Sequence, residues 1–169
     1  MTSDRYLRHH HSEVDVDTDA NNLFGFLDDH TRLAGHMEKP SLMMAGATMR
    51  VEMDALNGQA VGSLIRITSR VLGMNLAVEE VVTERAPPLH KTWETQGEPR
   101  LLVMGAYRMG FSITPQGKCS KLVVFIDYRL PSSGFAHWLA LVFGRAYAAW
   151  CTRRMVTDAM QAFAGKKSS

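Results

Sequence analysis

Two cysteines in 169 residues are too few for a disulfide framework, and neither Cys119 nor Cys151 stands at metal-ligand spacing from another donor. Both read as structural thiols of a reducing compartment, so the cytoplasm is the expected location. A surplus of charge of one sign is missing as well. The 19 basic residues are scattered among 17 acidic ones for a net charge of +2, which leaves no basic stripe to follow a phosphate backbone and argues against nucleic acid as a partner. Long apolar runs are absent: Phe135 to Cys151 is interrupted by His137 and Arg145 and falls short of the roughly 20 apolar residues of a membrane span. Met1 to His11 has no apolar core of the secretory-signal kind. No nucleophile elbow, phosphate loop or dinucleotide fingerprint occurs, and His9, His10 and His11 have no Cys or carboxylate constellation beside them. Neither a cofactor nor a metal is expected.

What remains is an ordinary globular composition, 46% hydrophobic and 21% charged, with no repeat, low-complexity tract or linker. A chain of this size buries roughly 70% of its unfolded surface. One domain over 9–164 is expected, with 1–8 and 165–169 as flexible termini.

Val14 and Val16 alternate with Asp15 and Asp17, which predicts a first strand over His9–Val16. Thr18 or Asp19 then caps a short helix through Leu27, with Leu23, Phe24 and Leu27 as its apolar stripe. Asp28 or Asp29 starts a second short helix that Gly35 ends. From Leu42 the period changes to two, with Met49, Val51 and Met53 opposite Arg50, Glu52 and Asp54. Asn57-Gly58 signals a hairpin turn. Further strands follow over Gly62–Leu72, Met74–Glu84, Leu89–Thr95, Arg100–Thr114 and Ser120–Leu130, divided by Gly73, Pro87-Pro88, Gly97 with Pro99, and Pro115-Gln116-Gly117. Gly134–Phe163 closes the chain as one long helix behind Pro131-Ser132-Ser133, where serine can cap it. Short connections after residue 42 require antiparallel pairing.

Two phrases carry a family resemblance. Asp19-Ala20-Asn21-Asn22-Leu23-Phe24-Gly25-Phe26-Leu27-Asp28-Asp29 and Val81-Val82-Thr83-Glu84-Arg85-Ala86-Pro87-Pro88 look like the first helix and the strand-then-proline turn of the START-like (SRPBCC) superfamily, which includes polyketide cyclases, lipid-transfer domains and plant pollen allergens. The element order resembles that superfamily over His9 to Phe163. The resemblance implies an α+β helix-grip fold: a curved antiparallel sheet of about seven strands wrapped around a long C-terminal helix, with two short helices after strand 1. It also implies an apolar cavity between sheet and helix, and it carries no shared catalytic motif.

Cavity-lining candidates come from the inward faces: Met49, Val51, Met53, Glu80, Trp93, Tyr107, Met109, Phe111, Val124, Ile126 and Tyr128 from strands, and Trp138, Leu141, Val142 and Arg145 from the long helix. Methionine adapts to irregular ligands and equally fills irregular cores. The tyrosines and tryptophans bring polar tips that either a ligand or the backbone satisfies. Arg145 needs an anionic partner, which a bound carboxylate, Glu79 or Glu80 would supply, unless it lies exposed on the helix flank. Glu80, His36 and His137 are the groups whose burial would tune a pKa for acid or base work, although no spacing singles one out.

Three readings result. The leading one is binding of a hydrophobic small molecule or lipid between sheet and helix. The second is a cyclase or dehydratase acting on an aromatic or polyketide-like substrate. The third is an interaction module with a filled pocket, whose apolar N-terminal half of the last helix contacts a partner; exposed apolar residues there would favour a homodimer.

Overall fold

A computed structural model describes residues 6–29, 48–71, 73–132 and 134–165. The elements are β1 (Arg8–Val16), α1 (Ala20–Asp28), β2 (Thr48–Met53), β3 (Leu64–Val71), β4 (Met74–Ala86), β5 (His90–Arg100), β6 (Tyr107–Gln116), β7 (Cys119–Tyr128) and α2 (Gly134–Phe163). The strands form one sheet in the order β1-β7-β6-β5-β4-β3-β2, antiparallel throughout. Strands β2 to β7 run as a meander, and β1 returns to pair with β7. The two edges are therefore β1 and β2. α1 follows β1 and packs on β6 and β7.

Alternation sets the two faces of the sheet. In β7, Leu122, Val124, Ile126 and Tyr128 are buried while the residues between them are half-buried, and they lie opposite Ile113, Phe111, Met109 and Tyr107 of β6. Asp19 caps α1 by accepting from the Asn22 backbone N–H at 3.0 Å, as its side-chain oxygen was expected to do. Leu23, Phe24 and Leu27 then plug one end of the inner face.

The ladder departs from the sequence reading in two places. Gly97 and Pro99 were expected to end β5 at Thr95. They instead lie in an irregularity of the β4–β5 ladder, where pairing passes from Glu79↔Gln96 to Ala77↔Arg100 and β5 continues to Arg100. Accordingly β6 starts at Tyr107 rather than Arg100, and the intervening segment is held by Gly105 N–H donating to the Arg129 carbonyl at 2.8 Å. Asn57 and Gly58 do adopt positive φ, 50° and 72°. Their turn sits inside a longer loop, where the Asp54 carboxylate accepts from Ser63 Oγ at 2.6 Å and Leu64 N–H at 2.9 Å. The second short helix, Ser133 as a cap, and the chain from Leu42 to Ala47 lie outside the described residues.

α2 has the expected bounds, but its buried face differs from the expected one. Ala140, Gly144, Ala148 and Thr152 are its buried residues nearest the N-terminus. Small side chains let the helix come close: a Cβ on Gly144 would lie 3.0 Å from the Val103 carbonyl oxygen. Thr152 Oγ1 meets Ser12 Oγ at 2.8 Å and His10 Nδ1 at 3.1 Å, which ties α2 to β1. Trp138, Leu141, Val142 and Arg145, expected on the inward face, are exposed. The N-terminal half of α2 is apolar nearly all round, so bulk gave no phase, and the inward side is marked by residue smallness.

Candidate ligand-binding site

Between the inner face of the sheet and the C-terminal half of α2 lies a cavity of about 140 Å³. Its walls are Val51, Ile65 and Ile67 from β2 and β3, Glu80 from β4, Trp93 from β5, Tyr107 and Met109 from β6, and Ile126 from β7. Leu101 and Met104 close one side. α2 supplies Tyr147, Trp150, Cys151, Arg154, Met155 and Asp158. A second depression, lined by Glu94, Thr95, Gln96 and Arg129 among others, is larger at about 250 Å³ but polar. The smaller one is the better candidate, because ligand sites combine apolar walls with few converging polar groups.

Glu80 is the charged side chain deepest in those walls, with 4% of its surface exposed. It shares an inward face with Val78 and Val82 and stands opposite Ile65 and Thr95. The Tyr107 hydroxyl donates to its Oε1. Burial pushes the Glu80 carboxyl up to about 7, against the pull of the Tyr107 hydrogen bond and of the Lys91 charge. Burial and the neighbouring Glu80 charge hold the Tyr107 phenol well above its ordinary range. Cys151 is pushed up to about 12, chiefly by burial, and Tyr147 beside it is raised by the Cys151 charge and by burial. At neutral pH, then, the thiol and both phenols keep their protons. Glu80 is near half-ionised and can accept or give one. Toward the outside, Tyr147 stacks against Trp150 at 5.7 Å and Arg154 Nε contacts Asp158 Oδ2 at 3.2 Å.

Beside the cavity, a buried ion cluster fixes α1 to the sheet. The irregularity after Val82 shifts the phase of β4, so Arg85 pairs with Lys91 in register. Both reach Asp28, the last residue of α1: Lys91 Nζ at 2.7 Å from Oδ1, Arg85 Nη2 at 2.8 Å from Oδ2. Lys91 Nζ also donates to the Asp28 carbonyl at 3.3 Å, satisfying an acceptor freed where the helix ends. Burial alone would raise the Asp28 carboxyl, but the hydrogen bonds and charges of Arg85 and Lys91 outweigh it and hold it below the ordinary range. The cluster positions α1 and does not line the cavity.

Of the residues singled out from sequence, Val51, Glu80, Trp93, Tyr107, Met109 and Ile126 lie on the cavity wall. Phe111, Val124 and Tyr128 are instead packed in the core with Leu23, Phe24 and Ala148. Met53 is half-buried outside the wall, and the Met49 side chain and His36 lie outside the described residues. Trp138, Leu141, Val142 and Arg145 do not reach the cavity. His137 is not on the cavity wall either, and its Nδ1 meets the Pro131 carbonyl at 2.7 Å. The α2 contribution escaped the sequence reading although a signal exists. Positions 147, 150, 151, 154, 155 and 158 follow the i, i+3, i+4, i+7, i+8, i+11 rhythm of one helical stripe. Arg154 and Asp158 break its apolar character. Among the described residues no group of three or more potential metal ligands occurs, and no helix is long and apolar enough to cross a membrane.

Solved structures share this architecture. Norcoclaurine synthase from Thalictrum flavum, in complex with dopamine and hydroxybenzaldehyde, matches 96% of this chain over 89% of its own, with TM-score 0.63 and 14% identity. The Zhui aromatase/cyclase from Streptomyces matches 90% of this chain over 93% of its own, with TM-score 0.62 and 14% identity. A Thermus thermophilus protein matches 95% over its full length, with TM-score 0.66 and 10% identity. No protein-family model and no curated protein sequence matches the chain. The chain has the helix-grip fold that the sequence resemblance implied. At such identities the likeness speaks for the fold alone.

Proposed function

We propose that the protein binds a hydrophobic small molecule in the cavity beneath α2, with the Glu80–Tyr107 pair reading one polar group on it. The observation that carries this reading is a buried carboxyl and phenol inside mainly apolar walls, whose other charged members, Arg154 and Asp158, pair with each other. Burying such a pair is unfavourable unless partners satisfy it, and each member still has capacity for one more hydrogen bond. Size narrows the ligand. An apolar cavity of about 150 Å³ in another protein takes up benzene, so about 140 Å³ suits one ring or a short acyl segment rather than a whole lipid. Met104, Met109 and Met155 give the walls the adaptability that varied shapes require.

One observation favours a second reading, a cyclase- or dehydratase-like enzyme. A carboxyl raised to about 7 is poised to exchange a proton at neutral pH, and norcoclaurine synthase and the Zhui aromatase/cyclase are catalysts on this fold. Glu80 would be the acid or base and Tyr107 the donor that orients its carboxyl.

Native mass spectrometry on protein purified without added ligand, followed by solvent extraction, tests binding. A co-purifying molecule at near-equal stoichiometry supports it and names the class to assay for turnover. Protein that stays ligand-free and takes up no ring-sized probe contradicts it.

A further inference from the structure

The outer face of α2 shows a second feature, unrelated to the cavity. Phe135, Trp138 and Val142 are 72%, 70% and 68% exposed and follow one another at helical spacing along the first two turns. Phe143 is also more than half exposed. Monomeric proteins leave large apolar side chains singly on the surface, whereas contiguous stripes mark contact surfaces.

Charge decides what the stripe meets. From Gly134 to Thr157 the helix has no acidic residue, and its charged residues are Arg145, Arg153 and Arg154. Arg154 is engaged with Asp158, while Arg145 and Arg153 are exposed. Both lie near β1, where burial first and then the Arg153, His11 and Arg145 charges lower the His10 pKa and keep that imidazole neutral. The stripe is thus flanked by the exposed cations of α2 itself, Arg145 and Arg153. A second copy would set this acid-free helix against another like it, which like-charge repulsion opposes.

We infer that α2 docks the protein on an anionic lipid bilayer, laying Phe135, Trp138 and Val142 into the interface with Arg145 and Arg153 on the lipid headgroups. Aromatic side chains at the headgroup level with flanking arginines are the composition that holds a helix in the plane of a membrane. This inference stands on the outer face of the helix and does not rest on what occupies the cavity.

The test is co-sedimentation of the full chain with vesicles of phosphatidylcholine, alone or mixed with phosphatidylglycerol. Binding is expected only with the anionic lipid and should weaken with salt. Trp138→Ser with Val142→Ser should weaken it about tenfold or more, and Arg145→Gln or Arg153→Gln about fivefold each. All these positions are exposed, so circular dichroism should show intact folds. Brominated lipid should quench wild-type tryptophan fluorescence and leave the Trp138→Ser, Val142→Ser protein unquenched. The inference is overturned if folded wild-type protein ignores anionic vesicles, or if it binds them equally well without the stripe. It is overturned too if sedimentation velocity shows a dimer that the stripe substitutions convert to monomer, since the occupant would then be a second copy.

Discussion

Tyr107 and Glu80 hydrogen-bond across an intervening strand: Tyr107 begins β6, Glu80 lies in β4, and Thr95 of β5 stands between them. Thr95 serves both sides, because its hydroxyl accepts from the Tyr107 backbone N–H at 3.2 Å. The carboxyl is thereby held inside the apolar wall in one orientation, and its titration becomes a reporter of the site.

The sign of its pH effect is fixed by that raised pKa. Below the ordinary value of 4.5 Glu80 is protonated in folded and unfolded chains alike. Between there and about 7 the folded state holds the proton more tightly, so its stabilising contribution is lost as pH rises through the folded value. Wild type should lose up to roughly 3 kcal/mol relative to Glu80→Gln between pH 4 and 8. Thermal unfolding of both across that range checks this, and taking the difference cancels the histidines. Parallel curves would show that Glu80 titrates normally.

Tyr107→Phe removes the donor that pulls the Glu80 pKa down. The carboxyl should titrate higher than in wild type by carbon-detected NMR, and the fold should lose about 1–3 kcal/mol for an unsatisfied buried acceptor. A downward shift would mean that Tyr107 does not hydrogen-bond the charged form.

Asp28→Asn should destabilise by about 3–5 kcal/mol in urea unfolding, because it withdraws the carboxylate from buried Lys91 and from Arg85. Asp28→Leu with Lys91→Met should recover much of that loss, since an apolar pair avoids the desolvation penalty. Wild type should also weaken in acid as pH falls through the depressed Asp28 pKa, below the ordinary 3.8. A cost under about 1 kcal/mol for Asp28→Asn would show that the cluster is solvated.

Cavity wall and filled core should answer overpacking differently. Cys151→Phe adds a ring where there is space and should abolish uptake of a ring-sized probe with little change in stability. Val124→Trp adds bulk to a fully buried core position and should lose roughly 1–3 kcal/mol. Equal destabilisation by both would mean that no usable space exists beside Cys151.

β7 and the long helix were legible because period and punctuation agree there: Leu122 to Tyr128 alternates without a break, and Gly134 and Phe163 bound α2 as read, whereas Gly97 and Pro99 misplaced the end of β5. Asp19 was legible as a cap for the same local reason. The site was only half legible. Strand positions such as Glu80, Tyr107 and Met109 follow from alternation, but the phase of α2 depends on how closely a helix can approach the sheet. Gly144 and Ala148 decide that, and Trp138 and Val142, expected inward, are exposed instead. The Asp28–Arg85–Lys91 cluster joins residues far apart in sequence through a ladder irregularity that no local pattern announces.

The central claim is that a small apolar molecule sits beside Glu80 and Tyr107 beneath α2. Methyl NMR of methionine-labelled protein titrated with 4-methylphenol tests it most directly, because Met104, Met109 and Met155 line the cavity while Met74 and Met160 are exposed elsewhere. Saturable shifts of the first three signals are expected, with the last two unmoved and with Cys151→Phe abolishing the effect. Shifts confined to Met74 or Met160, or no shifts at all, would contradict it.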